Sequence, residues 1–461
     1  MLEKSKKQKI DDLLTRGVGE FIDPDGIFRK KLEETPEKIV IKFGIDPTRP
    51  DIHIGHAVVL HKLRQFQDLG CKIIFLIGDY TAQIGDPSGK SKTRLEIEQK
   101  ETEHNMKTYL EQINLILKQE ASVFSWIRNS DWFTAVTDIQ PAAGLKVNFS
   151  KGNIMGGILD ANSFVGKALL FEKTRMQGTH LKNKVIHTVS LSFVLNTMRK
   201  ISHNRLIERD MFQERLENKE ELYMHEMLYP VLQGIDSSIL AKVYNSCDLE
   251  VGGTDQHFNM LMGRQVMNIH KQKPQAVLSF KILEGIDGKE KMSKSLDNYI
   301  GITDEPNDMY GKVMSIPDSS IANYFELCTF TPLAQVEEIK KKIEGGKENP
   351  KEIKMSLAKQ IVSIYHGEDK AKKAEQNFIS VFQNKEIPEV ISEIKQSNNT
   401  QSLMDVLVQA DKLSSKSEFR RLIKEGAITN LDSGEKINDP DFIPTDGQSF
   451  KIGKKTFIKI V

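Results

Sequence analysis

The chain has 461 residues, 39% of them hydrophobic and 28% charged, with a formal net charge of +1. Such a length suggests roughly three domains, and the near-neutral charge excludes a general polycation, so any nucleic acid must be held by local basic patches. Cys71, Cys247 and Cys328 are scattered, form neither a disulfide framework nor a zinc spacing, and fit a reducing compartment. Met1 to Gly19 mixes lysines with Glu3, Asp11 and Asp12 around Ile10, Leu13 and Leu14. It reads as an ordinary helix rather than a targeting peptide, which makes the cytoplasm the expected compartment. The apolar run Ile73–Ile77 has a strand's length, and no membrane span or membrane partner is expected.

Residues 38–77 spell one β-α-β unit. Ile39-Val40-Ile41 reads as a short buried strand. Val59, Leu63 and Phe66 then recur at helical spacing, and Gly70 supplies a stop before the strand Ile73–Ile77. A strand apolar on both faces belongs in the middle of a parallel sheet, and ligands of such sheets bind at the carboxyl ends of the strands. The polar turns Gly44–Thr48, Gly78–Thr81 and Gly85–Lys90 fall at or just past those ends. Residues 95–125 read as helix, with Met106, Tyr109, Leu110, Ile113 and Leu117 in step. From about 144 to 189 the pattern breaks down among Gly152, Gly156, Gly157, Gly166 and Gly178, and this stretch reads as an insertion. Helix returns over 190–245, and Leu249–Gln256 reads as a strand running into a glycine turn and a helix. Residues 303–395 are helical and Lys/Glu-rich, and 396–400 form a polar linker. Residues 400–461 make a small unit with Phe419, Leu422 and Ile423 on one helix face, a turn at 432–434 and a strand-like end over 457–461.

The most informative stretch is Asp51-Ile52-His53-Ile54-Gly55-His56, opening a helix after the first strand. Histidines three apart at a helix start point the same way, where unpaired N–H groups and a partial positive charge already suit phosphate. Far downstream, Lys291-Met292-Ser293-Lys294-Ser295 offers two lysines to the same phosphates. The two motifs in this order are a strong signal for ATP activation of an acid. Gly44 allows close approach of a nucleotide, and Thr48 offers a hydroxyl. Gly85–Lys90 lacks the GxxxxGK[ST] spacing and is no P-loop, but Asp86 in it can receive an ammonium. Tyr229, Gln233 and Asp236 share one helical stripe. Asp255 and Gln256 follow a Gly-Gly turn. Lys416, Arg420, Arg421 and Lys424 gather on one helix before a tight turn, which suits an RNA backbone.

The strings KFGIDPTRPDIHIGH, IGDPSGK, YPVLQGID, VGGTDQHFN and KMSKSLDNYIG resemble bacterial tyrosyl-tRNA synthetases, a family of class I aminoacyl-tRNA synthetases, and SKSEFRRLIKEGAI resembles their C-terminal S4-type RNA-binding module. The resemblance covers most of 35–135 and 190–310. It implies an α/β fold: a Rossmann-like parallel-sheet catalytic domain over 1–300, an α-helical anticodon-region domain over 301–395 and a small α+β S4-like domain over 400–461. It implies tyrosine activation by ATP with Mg2+, no protein-bound metal, transfer to tRNA(Tyr), and a homodimer. By position it casts Thr48 and His53 at the departing pyrophosphate, His56 near the ribose and adenine, and Lys291 and Lys294 closing over the phosphates. Asp46 and Asp255, with backbone from Gly44 and Gly253, would hold the adenylate. Asp86, Tyr229 and Gln233 would bind the substrate ammonium, Gln256 would approach the carboxylate, and Asp236 would read the phenol. These choices favour tyrosine over tryptophan.

Two departures matter. Many family members carry tyrosine two residues before the first motif glycine, where this chain has Lys42, a feature of the resembled branch that shifts hydroxyl discrimination onto Asp236. The 144–189 stretch is longer than the family's, in a region that neighbours its dimer interface. Three other readings stand beside this one. Another HxGH nucleotidyl transferase would be shorter and lack the S4-like tail. A regulatory protein built on a retired synthetase would have lost HIGH or KMSKS, and neither is lost. Tryptophan could replace tyrosine as substrate. If Asp236 reads the hydroxyl, Asp236→Ala is expected to lose most of a tyrosine-over-phenylalanine preference of about 10⁴–10⁵. Pyrophosphate exchange with each amino acid measures it, and an unchanged ratio removes Asp236 from that role.

Overall fold

Short β-branched runs separated by amphipathic helices build one central sheet with helices on both faces. The computed structural model describes residues 5–88, 99–133, 165–169, 185–207, 210–346, 348–382, 392–394, 401–410, 412–413, 415–453 and 456–461. The strands are β1 (Val18–Ile22), β2 (Val40–Ile45), β3 (Lys72–Ile77), β4 (Phe124–Arg128), the pair β5 (Val165–Leu169) and β6 (Val185–Val189), then β7 (Leu249–Gly253) and β8 (Ala276–Phe280). Six of them form the sheet, in the order β1-β8-β7-β2-β3-β4. Neighbours from β8 to β4 run parallel. From β2 the chain steps outward one way to β3 and β4 and later the other way to β7 and β8. The β2/β7 junction is therefore the switch point at which such sheets open a crevice.

The residues facing each side of the sheet follow the period of two. Val40, Ile74 and Leu76 pack under Met227, Val231, Ile235 and Ile239 of the long helix Met224–Val243. On the other side the helix Ile54–Asp68 lies against β3 and β7 and buries Leu60, Leu63 and Phe66. Each fully buried side chain of this size contributes roughly 1.5–3 kcal/mol. The helix His257–Ile269 packs closely on Met224–Val243, because a Cβ at Gly234 would come within 2.7 Å of Val266.

Two segments differ from the sequence reading. The first helix spans only Lys6–Thr15, and Val18–Ile22 is a strand antiparallel to β8, so the sheet is mixed rather than wholly parallel. Gly17, at φ +64°, turns the chain out of the helix where periodicity alone continued it. The helix expected over 95–125 is Gln99–Ile113, followed by a turn and β4. Phe124, Trp126 and Ile127 extend the apolar spacing of the helix but pair with β3 instead, as tertiary pairing overrides local pattern. The insertion expected at 144–189 lies outside the described residues except for β5 and β6, which pair antiparallel.

The chain forms two compact units, Met1–Tyr365 and His366–Val461. The helical stretch after 303 contributes to both, with Pro306–Met314, Ile321–Cys328 and Leu333–Glu344 in the first and Glu368–Phe382 in the second. The second unit holds a sheet in the order β10-β11-β12-β9, from β9 (Ser392–Ile394), β10 (Ile428–Asn430), β11 (Ser449–Ile452) and β12 (Thr456–Ile460). Phe419 and Ile423, on the helix Lys416–Lys424, pack into its core with Leu403, Leu407, Phe450 and Ile458, and Leu422 lies against it. The linker expected at 396–400 lies outside the described residues. Among the described residues no helix is long and apolar enough to cross a membrane.

One arginine ties the N-terminal segment to the first unit. The guanidinium of Arg16 donates to the backbone oxygens of Phe325 (3.0 Å), Glu326 (2.8 Å), Thr329 (2.8 Å) and Thr331 (2.5 Å) around the end of the helix Ile321–Cys328. A fork of donors satisfies carbonyls that a helix end leaves unpaired. Arg16→Ala is expected to destabilise the first unit by roughly 2–3 kcal/mol, and Arg16→Lys to recover only part of it. Denaturant unfolding followed by tryptophan fluorescence reads both.

Candidate active site

The parallel register brings the ends of β2, β3, β4 and β7 to one edge. Ile45 pairs with Ile77, Ile77 with Arg128, and Phe43 with Val251. The turns that follow supply Asp46, Thr81, Asn129 and Thr254–Gln256. The loop 47–52 is pinned by the helix Gln99–Ile113, where Asn105 donates to Pro47 O (3.0 Å) and Gln112 to Pro50 O (2.9 Å).

Carboxylates gather around one phenol. Tyr229 donates its hydroxyl to Asp46 Oδ2 at 2.9 Å, and Thr81 donates to Asp46 Oδ1 at 2.9 Å. Asn129 bridges Thr81 Oγ1 (2.9 Å) and Asp236 Oδ2 (3.3 Å), while Trp132 Nε1 donates to Asp236 Oδ1 at 2.9 Å. Burial, and then the charges of Asp46, Asp86 and Asp236, hold the Tyr229 phenol well above its ordinary range. Burial pushes the Asp236 carboxyl up to about 7 against the pull of Lys42 and its two hydrogen bonds. Asp86 forms a second knot: Gln256 Nε2 donates to Asp86 Oδ2 (2.6 Å) and Ser88 Oγ (2.5 Å), and Asn259 donates to Gln256 Oε1 (3.1 Å). Asp46 on the phenol, with the charges of Asp86 and Asp236 acting on it, makes a pocket suited to an ammonium.

The histidines and lysines form the opposite wall. His53 precedes the helix Ile54–Asp68 in extended conformation, and its ring stacks on His56 with centroids 3.8 Å apart. The His53 N–H donates to His56 Nδ1 at 3.4 Å, so the neutral His56 ring carries its proton on Nε2. Burial, followed by the charges of Lys294 and Lys291, lowers the His56 pKa to about 3, and burial with His56 and the same lysines depresses His53 further. Both rings are therefore neutral donors rather than cations. Chain 300–302 is laced to this helix start by Ile54 N–H on Ile300 O (2.9 Å) and Ile302 N–H on Ile52 O (3.1 Å). Gly55 leaves room for the His53 ring, because a Cβ there would lie 3.0 Å from His53 Nδ1. Lys294 Nζ lies 3.8 Å from Asp51 Oδ2 and 5.8 Å from the Tyr109 ring centroid, and it donates no hydrogen bond to any described residue. Lys291 pairs with Asp255 Oδ2 at 3.1 Å.

The structure thus brings His53, His56, Lys291, Lys294 and Asp255 together, and Asp46, Asp86, Tyr229, Asp236 and Gln256 together. Thr48 lies in the pinned loop with its N–H on Asp46 O (2.8 Å). Gly44 lies near the end of β2 and Gly253 closes β7. Gln233 turns its Nε2 to Glu250 Oε1 at 3.0 Å. Lys416, Arg420, Arg421 and Lys424 belong to the second unit, where all four are exposed. The sequence reading gave no role to Thr81, Asn129, Trp132, Asn259 or Glu250. Thr81 and Asn129 follow strands and Glu250 lies within one, while Trp132 and Asn259 lie on the helices that come next. Among the described residues no three His, Cys, Asp or Glu side chains converge as a metal site.

A switch-point crevice with a stacked histidine pair at a helix start and two facing lysines suits an enzyme that activates an acid with ATP. Residues 34–155 and 158–383 match the family described as tRNA synthetases class I (W and Y), and the chain belongs to it. Among curated relatives, the tyrosine–tRNA ligase of Carboxydothermus hydrogenoformans is 37% identical over 460 residues, spanning 98% of this chain and 97% of the relative. Tyrosine–tRNA ligase 2 of Clostridium acetobutylicum is 38% identical, spanning 97% of each chain. A C-terminally truncated Aspergillus nidulans mitochondrial tyrosyl-tRNA synthetase crystal structure shares the fold, with a TM-score of 0.56 at 20% identity over 81% of this chain and 94% of that one.

Burial lowers the Lys294 pKa to about 8, so its ammonium is charged below that pH and lost above it. If that charge meets phosphate, kcat/KM for ATP is expected to fall as pH rises through about 8. Lys294→Arg should move this limb to higher pH; a limb unchanged in the variant assigns it to another group.

Proposed function

We propose that the chain is a tyrosine–tRNA ligase, which joins L-tyrosine to ATP as tyrosyl-adenylate with release of pyrophosphate, then moves the tyrosyl group to the 3′ end of tRNA(Tyr). The observation that carries the site reading is the pairing of two walls: Asp46, Asp86 and Asp236 around Tyr229 on one side, and stacked neutral histidines facing Lys294 on the other.

The tyrosine carboxylate is already charged, so its attack on the α-phosphorus needs no general base. A carboxylate–phosphorus bond forms as the bond to pyrophosphate breaks. The site's task is positioning and stabilisation of the charge that develops on phosphate oxygens. Thr48, His53 and the lysines Lys291 and Lys294 serve the departing pyrophosphate, and His56 Nε2–H serves the nucleoside. Each such donor is worth about 2.7–4 kcal/mol if oxyanion-hole donors are a guide. Lys291 exchanges its Asp255 partner for phosphate, which frees Asp255 to join Asp46 and the Gly44 and Gly253 backbone around the adenylate. Asp86, Tyr229 and Gln233 take the ammonium, Gln256 takes the carboxylate and Asp236 takes the phenol. ATP arrives with Mg2+, held mostly by phosphates and water.

The 301–395 region serves the anticodon side of tRNA, and residues 400–461 act as an S4-like RNA-binding domain. Lys416, Arg420, Arg421 and Lys424 are exposed on the helix that buries Phe419 and Ile423, which supports this use. The enzyme works in the cytoplasm as a homodimer.

ATP–pyrophosphate exchange across the twenty amino acids is expected to depend on tyrosine alone; dependence on tryptophan, or on none, overturns the assignment. The Arg420→Ala/Arg421→Ala/Lys424→Ala variant is expected to weaken tRNA binding, flatten its salt dependence and leave exchange intact. Equal loss of exchange would refute the RNA role of that helix.

A further inference from the structure

Beneath the helix stripe of Tyr229, Gln233 and Asp236 lies a sealed polar knot at the β2/β7 switch point. Lys42 and Glu250 are direct cross-strand partners. Their charges meet at 2.8 Å with side chains 1% and 2% exposed. The other two ammonium hydrogens of Lys42 go to the backbone oxygen of Gln233 (2.9 Å) and to Ser237 Oγ (2.8 Å). Glu250 is saturated as an acceptor. Lys42 and Gln233 Nε2 (3.0 Å) reach Oε1, while Ser237 Oγ (3.0 Å) and Gln275 Nε2 reach Oε2. Gly263 leaves room for this arrangement, because a Cβ there would come within 2.7 Å of Gln275 Nε2 and 2.9 Å of Glu250 Oε2. Burying two charges is costly, and neither is placed to touch phosphate or ammonium.

We infer that the Lys42–Glu250 pair is a positioning unit that fixes which end of the Gln233 amide meets the substrate. A carboxylate only accepts, so the amide end that meets Glu250 must be the NH2. That leaves Oε1 as the amide end available to the pocket. An acceptor there suits an ammonium; the flipped amide would present two donors and repel it. Lys42 completes the lock by gripping the Gln233 carbonyl, so the backbone and the side chain of one residue are held by opposite ends of one ion pair. Lys42 thereby acts on the amino group of the substrate through Gln233, without contact.

This inference rests on tyrosine as the substrate and on Gln233 at its ammonium. The test compares L-tyrosine with 3-(4-hydroxyphenyl)propanoate, which lacks only the amino group, by titration calorimetry on the full chain. The variant is Lys42→Met/Glu250→Leu, which removes both charges together so that neither is left buried alone. Tyrosine affinity is expected to fall about ten- to hundredfold, the scale of one hydrogen bond to a charged group, while affinity for the propanoate stays near that of the parent. In Gln233→Leu the tyrosine preference should already be lost, and adding the Lys42/Glu250 change should remove nothing more. Equal weakening of both ligands, no weakening, or additive losses on top of Gln233→Leu would overturn the inference. Absence of tyrosine-dependent pyrophosphate exchange in the parent protein would instead sink the functional reading, and the inference with it.

Discussion

Parallel strand pairing constrains everything at this site. Each strand of a parallel sheet must be followed by a connection that returns over one face, so the strands' carboxyl ends share an edge. In this chain the ladder from β4 through β3 and β2 to β7 holds that edge in register. Asp46, Thr81, Asn129 and Asp255 follow four different strands, yet they converge without any one loop having to be rigid. The break in winding direction between β2 and β7 opens the crevice where the helices of the two halves part.

Polar groups behind that edge are held by one another. Asp236, Asn129, Thr81, Asp46 and Tyr229 form one continuous chain of hydrogen bonds, and Lys42, Glu250, Gln233, Ser237 and Gln275 form another beneath it. A low-dielectric interior strengthens such networks and makes any unpaired member costly. Removing one charge of the Lys42–Glu250 pair would strand the other, whereas removing both leaves no charge buried alone. The same burial explains why Asp236 is poised near neutrality, with a carboxyl pushed up to about 7.

The wall of histidines and lysines is arranged differently. Two histidines stacked at 3.8 Å beside two lysines cannot all be cations, and burial decides that the imidazoles stay neutral. Charge is then left to the lysines, which lie in a loop after β8, while orientation is left to rings fixed at a helix start. The small Gly55 leaves room for the His53 ring, and Met292 lies within contact range of the same position, so the two motifs meet although far apart in the chain.

Much of this was legible in the sequence. The β-α-β unit around 38–77, the polar turns at strand ends and the two phosphate motifs depend on local periodicity and on residue types that carry their chemistry with them. The basic helix was legible for the same reason, since Phe419 and Ile423 mark its inner face. The sequence misled where local pattern and tertiary pairing compete: Gly17 ends the first helix early so that 18–22 can pair antiparallel with β8, and Phe124–Arg128 leaves a helical rhythm to join β3. Residues such as Thr81, Asn129, Trp132 and Glu250 carry no motif, because their roles come from partners tens to hundreds of positions away. Lys42 is the clearest case. In sequence it is a missing tyrosine; in the fold it is one half of a buried pair, because only strand register could set it opposite Glu250 and under Gln233.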